Sequence, residues 1–379
     1  MADPEADDRT TAHDLRADVP ALGEAAYFNF GAHGPSSESV VEAASAFVAD
    51  HEYGSGTTDP YERAFETYET VRERVADFVG AEPDEIALTE STTDGITRIA
   101  GAIDWKPGDV VVRTDLEHPA GVLPWKRLER EGVEVRVVET EDGRIDPEAY
   151  AEAVADARLV CFSAITWTHG TRLPVADLVE IADEAGAFTL VDAVQSPGQV
   201  AMDVSAWGAD AVAAAGHKWL LGPWGSGFLY VDREAAADLA PRAAGYRSVE
   251  DPDGDEIAFK PGAKRFEVGT TTPAAHAGLV EALDAIDAVG LPAIEDRIAS
   301  LTDRLKDGVP DDRLLSPREY ESGLVTVDVD DPEATVERLA DEGIVIRSLP
   351  HPDGIRASVH AVSTEAEIDR LVDALAAEW

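Results

Sequence analysis

The chain has 379 residues, and 76 acidic residues against 31 Lys and Arg leave a formal net charge of −45. A surface this negative repels phosphate backbones and anionic lipid headgroups, so we expect neither nucleic acid nor a membrane as a partner. Hydrophobic residues make up 44% of the chain and charged residues 28%, which is typical of a globular protein and excludes a disordered one.

Acidic residues occur along the whole chain, and we interpret them as the solvated surface of a halophilic protein, because salt screens their mutual repulsion. A calcium-binding protein is the alternative, but no segment matches the D-x-[DN]-x-[DN]-G loop, and we predict no metal site. The first residues lack the features of a secretion signal, and no apolar run approaches the roughly 20 residues of a membrane helix. We therefore expect a cytoplasmic protein.

The first twenty residues are acidic and are predicted to form an N-terminal arm. Residues 21–272 alternate helix-period stretches with short β-branched runs, the pattern of a large α/β domain with a mostly parallel, seven-stranded sheet. The predicted strands are EIALT (85–89), DVVVR (109–113), VEVRVVE (133–139), LVCFSAI (159–165), FTLVD (188–192), AVAAA (211–215) and GFLYV (227–231).

The pattern changes after residue 272, and residues 273–379 are predicted to form a small C-terminal α+β domain. Two helices come first, GLVEALDAIDAV and PAIEDRIASLTDRL. The strand GLVTVDVD, the helix PEATVERLADEG, the strands IVIRS and GIRASVH, and a last helix from Thr364 follow.

Polar residues follow three of the predicted strands at the sheet edge where open parallel sheets bind ligands. Thr92 and Thr93 open a helix after the first strand, Asp192 ends FTLVD, and Lys218 follows AVAAA. Each feature alone also has a structural explanation: a helix N-cap, a buried carboxylate with a partner, and a surface lysine.

Together these features match the needs of pyridoxal phosphate. The phosphate needs an anion cradle, the pyridine nitrogen needs a carboxylate, and the aldehyde needs a lysine. A dinucleotide is the competing ligand of such a sheet, but no G-x-G-x-x-G follows a strand and no G-x-x-x-x-G-K-[ST] loop is present. We therefore expect pyridoxal 5'-phosphate as the cofactor.

The chain resembles the class V aminotransferase group of fold-type I pyridoxal phosphate enzymes. This group includes cysteine desulfurases, selenocysteine lyases and isopenicillin-epimerase-like proteins. The resemblance extends from YFNFGAHGP near residue 27 to RASVHAVSTEAEIDRLVDAL at the end of the sequence. It implies the fold-type I architecture, an amino-acid substrate and a homodimer.

The resemblance also implies roles for residues near the cofactor ring. The motif GHKWLLGP supplies Lys218 as the Schiff-base lysine and His217 as a phosphate contact. Asp192 is implied as the partner of the pyridine nitrogen, and Gln195 as the donor to the phenolic oxygen of the ring. EHPAGVLPW resembles the segment in which His118 stacks on the ring. Lys218, Asp192 and His118 are thus the implied catalytic residues.

Further motifs imply contacts to the phosphate and to the substrate. ESTTDGI resembles the phosphate loop, with Thr92 and Thr93 as ligands. RFEVGTTTP resembles the stretch that would bring Thr270 to the phosphate of the neighbouring subunit. IRASVHAVSTEAEID resembles the C-terminal segment whose arginine, here Arg356, holds the α-carboxylate of the substrate.

The strand pattern independently favours Arg356 as a carboxylate ligand. In GIRASVH the side chains of Arg356, Ser358 and His360 face one way, so Arg356 can point into a cleft. A surface arginine paired with an acid is the alternative. Arg347 is a second candidate for the carboxylate ligand, and a structural role for it is equally open. His33 in GAHGP belongs either to the substrate entrance or to a turn.

Several positions depart from the family pattern. Ala215 stands where many relatives carry a serine phosphate ligand, and SAITWTHGT carries Trp167 within the stretch where desulfurases have an asparagine. RSLPHPDGIRAS lacks the reactive cysteine of the desulfurases, and Cys161, the only cysteine, falls in a predicted buried strand. These differences disfavour persulfide chemistry of the desulfurase type.

We therefore predict a homodimeric class V aminotransferase acting on an amino acid through Lys218. A lyase resembling selenocysteine lyase and an epimerase resembling isopenicillin-N epimerase are the alternatives, because one proton transfer by a lysine can begin all three reactions. A non-catalytic dimeric scaffold is a further alternative. The sequence does not assign the amino acid, the acceptor, or the role of Trp167.

Overall fold

The computed structural model describes residues 10–379, and its centre is a seven-stranded sheet. The twelve strands are β1 Ala26–Tyr27, β2 Ile86–Thr89, β3 Val110–Thr114, β4 Glu134–Val138, β5 Leu159–Ser163, β6 Phe188–Asp192, β7 Ala211–Ala215, β8 Gly227–Val231, β9 Leu324–Val327, β10 Ile344–Val345, β11 Arg347–Pro350 and β12 Asp353–Ser358.

Helices cover the sheets and connect the strands. They are α1 Ala12–Ala17, α2 Glu38–Gly54, α3 Pro60–Val79, α4 Thr92–Ala100, α5 Leu123–Leu128, α6 Pro147–Val154, α7 Val175–Glu184, α8 Val204–Trp207, α9 Arg233–Ala237, α10 Ala274–Val289, α11 Leu291–Asp307, α12 Pro332–Asp341 and α13 Glu365–Leu375. Within residues 10–379, none of them has the length and apolar character that crossing a membrane requires.

The large sheet has the strand order β2-β8-β7-β6-β5-β3-β4. β3 to β7 pair in parallel with their neighbours, whereas β8 runs antiparallel to both β2 and β7. All seven predicted strands lie in this sheet, and the predicted fold class is confirmed. The reason is local: each central strand is a short, almost wholly apolar run that is buried on both faces.

Two hydrophobic clusters lie on the two faces of the large sheet. One contains Val160, Phe162 and Val191, and the other contains Leu159, Cys161 and Leu190. Successive residues of one strand therefore bury their side chains in different clusters.

The C-terminal residues form a second, antiparallel sheet with the order β11-β12-β9. The predicted strand IVIRS is divided in two. Ile344 and Val345 pair in parallel with Ala26 and Tyr27, while β11 pairs with β12. The N-terminal part of the chain is thus attached to the C-terminal part through β1.

Segments near the predicted domain boundaries pack on both parts of the molecule. Helix α10 lies against α2 and α3, and its Leu283 belongs to the cluster beneath the large sheet. The predicted arm lies partly outside the described residues, at residues 1–9. Its remainder includes α1, where Leu15 is buried and Arg16 forms a salt bridge with Glu367 of α13. The division at residues 20 and 272 stays a prediction.

Candidate active site

A cavity of about 260 Å³ lies at the carboxyl ends of the parallel strands of the large sheet. Of the nine residues predicted for the site, all except Thr270 line this cavity. They come from the start of α4, the turn after β3, the end of β6, the segments after β6 and β7, and strand β12. The sheet topology thus brings together residues that lie far apart in the sequence.

Asp192 and Lys218 occupy the ends of neighbouring strands. Asp192 is the last residue of β6 and pairs in register with Ala213 of β7, and Lys218 follows β7 by three residues. The carboxylate is 4% exposed and accepts a hydrogen bond of 3.0 Å from the backbone N–H of Val194. Burial raises the pKa of Asp192, while this hydrogen bond and Lys218 act in the opposite direction.

The lysine amine is easily deprotonated. Burial lowers the pKa of Lys218 to about 7, since it outweighs the attraction of Asp192 and acts in the same direction as Arg356 and Arg347. A large fraction of the amine is therefore neutral near pH 7. A neutral amine is the form that attacks an aldehyde and accepts a proton.

Helix α4 begins at the cavity wall. Ser91 is its N-cap, and the hydroxyl of Ser91 accepts a hydrogen bond of 3.2 Å from the backbone N–H of Asp94. The hydroxyl of Thr92 is buried and has no hydrogen-bond partner among residues 10–379, and Thr93 also lines the cavity. The helix N-terminus thus presents a hydroxyl and backbone N–H groups to a ligand, as an anion site requires.

His217 lies beside this helix end. Its ring stacks on the exposed Trp224 with 4.8 Å between ring centroids, and its Nδ1 atom is buried without a partner. Burial, with Lys218 and His33 contributing, lowers the pKa of His217 to about 4, so the ring is neutral at neutral pH. His33 contacts Trp224 at 5.3 Å but does not line the cavity.

His118 lies on another side of the cavity. It caps a short turn, with its Nδ1 atom accepting a hydrogen bond of 3.3 Å from the backbone N–H of Ala120. Its ring meets Trp167 edge to face at 5.3 Å. Burial, Lys218 and the two cavity arginines lower the pKa of His118 to about 4, so this ring is also neutral.

Arg356 is fully buried beneath the cavity. Its Nη1 atom donates a hydrogen bond of 2.8 Å to the carbonyl of Trp167, while Nε and Nη2 have no partner. Burial and the neighbouring Arg347 lower the pKa of Arg356 to about 9, so the guanidinium still carries its charge at neutral pH. Two free donors on a buried cation that lines a cavity are suited to an anionic partner.

Thr270 lies away from this cavity. Its backbone N–H donates a hydrogen bond of 3.0 Å to the hydroxyl of Tyr246, and its surroundings include Phe47 and Tyr61. Among residues 10–379, Thr270 is not one of the residues that line the cavity of its own chain. Its predicted position at the neighbouring subunit's phosphate stays a prediction.

The sequence analysis missed Glu117 and Ser163. The carboxylate of Glu117 is 6% exposed and accepts hydrogen bonds of 2.6 Å from the hydroxyls of Thr114 and Ser163. Burial and nearby Asp192 raise the pKa of Glu117 to about 7 although these hydrogen bonds lower it. Their positions in the sequence could have indicated them, because Glu117 immediately precedes His118 and Ser163 is the last residue of β5.

The family model described as aminotransferase class-V matches residues 26–371. The chain belongs to the class V aminotransferase family. A probable cysteine desulfurase of Methanothermobacter thermautotrophicus is 33% identical, with 96% of each chain covered. A probable cysteine desulfurase of Halobacterium salinarum is 32% identical, with 95% of each chain covered.

Solved structures of related proteins have the same fold as this class V protein. The apo structure of a cysteine desulfurase from Thermococcus onnurineus aligns with a TM-score of 0.88 and 29% identity, covering 99% of this chain and 98% of that one. A C-DES variant with glycine covalently linked to its pyridoxal phosphate cofactor aligns with a TM-score of 0.89 and 28% identity, covering 96% and 99%. The cofactor of this class V enzyme is pyridoxal phosphate.

The cavity of the class V enzyme fits this cofactor. The unpaired hydroxyl of Thr92 and the unpaired ring nitrogen of His217 are suited to a phosphate group. Asp192 is a buried carboxylate, which suits a protonated pyridine nitrogen, and Lys218 offers the amine that an aldehyde requires. The unpaired donors of Arg356 would suit a carboxylate group.

Proposed function

We propose that this class V enzyme is a lyase that removes a sulfur-bearing group from the β-carbon of an amino acid without using a protein thiol. The observation that carries the proposal is the cavity itself. It places an amine, a buried carboxylate and a guanidinium with two unpaired donors together, and among residues 10–379 no thiol lies in its wall. The amino-transfer reaction predicted from the sequence is the competing outcome.

The absence of a usable thiol separates this chain from a desulfurase that stores sulfur on cysteine. Cys161 is the only cysteine in the sequence, is fully buried in β5, and does not line the cavity. Burial, with nearby Glu117 and Asp192 contributing, raises the pKa of its thiol well above the ordinary value, so a nucleophilic thiolate is disfavoured. The sulfur must then leave as a small molecule.

Two relatives support a carbon–sulfur substrate. The relative from Methanothermobacter thermautotrophicus is named a probable cysteine desulfurase, and cysteine contains a carbon–sulfur bond. A C-DES structure described as a cystine C-S lyase with its product cysteine persulfide aligns with a TM-score of 0.87 and 28% identity over 94% of this chain. We extend this class of substrate to the present chain as part of the proposal.

The proposed mechanism assigns one task to each cavity residue. When bound, pyridoxal phosphate supplies an electron sink for the electron pair left at the α-carbon of the substrate. Asp192 would hold a proton on the pyridine nitrogen, and His118 would lie beside the ring. Thr92, Thr93 and His217 would hold the phosphate.

Lys218 carries the proton transfer. Lys218 would be the residue that holds the cofactor aldehyde, and its amine, once free, would remove the proton from the α-carbon of the substrate. The electron pair of the broken C–H bond would then expel the sulfur group from the β-carbon, that group would leave with a proton, and water would release the remaining fragment as pyruvate and ammonia. A pKa of about 7 matches this task, because a base with a pKa near the working pH is both available and able to release its proton again. Arg356 would hold the substrate carboxylate and so orient the substrate toward Lys218.

The products distinguish the candidate reactions. We would incubate the holoenzyme with cysteine or cystine and measure sulfide or persulfide together with pyruvate and ammonia. A lyase gives the sulfur product and ammonia on every turnover. A transaminase gives a keto acid continuously only when an acceptor keto acid is added, and an epimerase returns the amino acid with its α-proton exchanged for solvent deuterium.

A pair of lysine variants provides the control. We expect Lys218→Ala to lack the visible absorbance band of the bound cofactor and all three activities. Lys106→Ala changes an exposed lysine and should keep the band and the wild-type activity. If the wild-type protein shows no cofactor band and acquires none with added pyridoxal phosphate, the proposal is wrong. Products of transamination alone would contradict the lyase and support the competing reaction.

We also propose a homodimer in which Thr270 contacts the phosphate bound by the other subunit. Its support is the position of Thr270 outside its own cavity, beside exposed apolar side chains such as Tyr61 and Val48. Mixing inactive Lys218→Ala with inactive Thr270→Ala subunits should restore part of the activity, since one of the two sites in the mixed dimer is then intact. A monomer in light scattering would contradict this arrangement.

A further inference from the structure

The side-chain amide of Gln195 lies between two groups that can each play only one hydrogen-bonding role. Its Oε1 atom accepts a hydrogen bond of 2.8 Å from the indole N–H of Trp219. Its Nε2 atom donates a hydrogen bond of 3.0 Å to the carbonyl of Gly31. An indole nitrogen only donates, and a backbone carbonyl only accepts. If the amide were reversed, its NH2 group would face the indole N–H of Trp219 and its oxygen would face the carbonyl oxygen of Gly31.

The environment makes that reversal costly. Trp219 is 0% exposed and Gln195 is 2% exposed, so water cannot replace a lost partner. The carbonyl of Gln195 also accepts a hydrogen bond from the side chain of Gln199, whose Oε1 atom accepts one of 2.9 Å from the N–H of Gly323. Both the backbone and the amide of Gln195 are therefore fixed.

Trp219 is itself fixed by His360. The ring of His360 stacks on the indole with 5.9 Å between centroids, and its Nε2 atom lies 2.9 Å from the carbonyl of Trp219. Its Nδ1 atom accepts a hydrogen bond of 3.2 Å from the N–H of Val362. The proton of His360 therefore lies on Nε2, which donates to the carbonyl of Trp219.

This arrangement decides which end of the amide faces the cavity that Gln195 lines. One N–H of Nε2 is used by Gly31, and the second remains available. We infer that Trp219 is a positioning residue whose indole N–H holds the amide so that Gln195 acts only as a donor to the phenolic oxygen of the cofactor. The inference rests on the proposed function and on the cofactor contact that the family resemblance implies for Gln195.

The consequence is electrostatic. A donor next to the phenolic oxygen stabilises its negative charge and lowers its affinity for a proton. Without the indole N–H, only the carbonyl of Gly31 still sets the orientation of the amide, and any turn of Oε1 toward the phenolic oxygen would replace attraction by repulsion. The pH midpoint of the absorbance change of the bound cofactor should then rise.

A double-mutant cycle tests this inference. Wild type, Trp219→Phe, Gln195→Leu and the double variant are loaded with pyridoxal 5'-phosphate and titrated across pH while the visible absorbance is recorded. We expect each single change to raise the midpoint by about one pH unit, the size of one hydrogen bond to a charged group. We expect the double variant to match Gln195→Leu alone, because Trp219 acts through Gln195.

Two other outcomes would contradict different parts of the inference. If Gln195→Leu leaves the midpoint unchanged, the proposed contact of Gln195 is wrong and the inference with it. If Gln195→Leu shifts the midpoint but Trp219→Phe does not, or if the two shifts add, only the positioning role of Trp219 is wrong.

The effect of lost packing at Trp219 must be separated from the effect of the lost hydrogen bond. Trp125→Phe makes the same change at an equally buried tryptophan outside the cavity wall and should keep the wild-type midpoint. If Trp219→Phe does not fold, benzothienylalanine at position 219 retains the bicyclic shape without the N–H and is titrated in its place. We expect kcat to fall roughly tenfold and the KM of the amino acid to change little.

Discussion

Arg347 and Arg356 occupy directly paired positions of the antiparallel strands β11 and β12, and both line the cavity. Among residues 10–379, the guanidinium groups of Arg347 and Arg356 donate hydrogen bonds to backbone carbonyls, and neither forms a salt bridge with a carboxylate. Paired like charges destabilise a sheet, and burial adds to that cost. We propose that an anionic substrate binds between them, because its negative charge would offset this repulsion.

The first prediction concerns Arg356. Arg356→Lys keeps the charge but cannot donate through two parallel N–H groups, so we expect the KM of the amino acid to rise on the order of 100-fold. Steady-state kinetics measures this. Arg304→Lys, in an exposed pair with Asp369, is the control and should keep the wild-type KM. An unchanged KM for Arg356→Lys would remove this residue from the carboxylate site.

The second prediction concerns Gly31, which lies against Arg356. A Cβ atom at position 31 would lie 2.9 Å from Nη2 of Arg356 and 2.8 Å from Cδ2 of Leu324. Gly31→Ala should therefore displace the guanidinium and raise KM, with a stability loss of about 1–3 kcal/mol from overpacking. Gly23→Ala is the matched control, because a Cβ atom there meets nothing within 4 Å. Equal KM values in both variants would argue against the displacement.

The third prediction follows from the low pKa of Lys218. Only the neutral amine binds the cofactor aldehyde, and its fraction rises with pH until the pH exceeds the pKa of about 7. The rate at which the apo enzyme acquires the visible band of the cofactor should therefore rise with pH and level off above neutrality. Rapid-mixing absorbance measures it. A rate that continues to rise toward the ordinary lysine pKa of 10.5 would contradict the lowered value.

The fourth prediction uses the buried carboxyl group of Glu117, whose pKa is raised from 4.5 to about 7. A raised pKa means that the folded state binds the proton more tightly. The stability from this group is therefore complete at pH values below 4.5 and is lost as the pH rises through 7. Glu117→Gln removes this dependence of the free energy of unfolding, which amounts to about 3 kcal/mol at most.

Urea unfolding of the apo protein on both sides of this pH range measures the effect. Wild type should lose stability relative to Glu117→Gln as the pH rises. Glu129→Gln, at an exposed position, serves as the control for the loss of one negative charge. Parallel pH profiles for wild type and Glu117→Gln would show that Glu117 is ionised throughout.

The fifth prediction concerns the net charge of −45. Repulsion among surface carboxylates destabilises the folded state, and salt screens it within a Debye length of about 10 Å at 0.1 M and about 3 Å at 1 M. The Tm should therefore rise steadily with potassium chloride. Differential scanning calorimetry measures it, with sucrose as a control for effects that do not involve charge. A Tm that is independent of salt would contradict the halophilic interpretation.

The sequence by itself determined the elements of the large sheet and the residues at their ends. Runs such as FTLVD and AVAAA are apolar enough to be buried on both faces, so their strands can be recognised from local composition. Parallel strands also place their carboxyl ends at one edge, and this rule alone predicted that Asp192, Lys218 and Thr92 would lie together.

Only the tertiary structure decided the relationships that depend on pairing and close approach. The division of IVIRS between two sheets, the pairing of Arg347 with Arg356, and the contact between Trp219 and Gln195 join positions that no local pattern relates. Periodicity and capping report the environment within one element. Register and hydrogen bonds between distant residues arise only when several elements pack together, and they set the direction in which each polar group of the site can act.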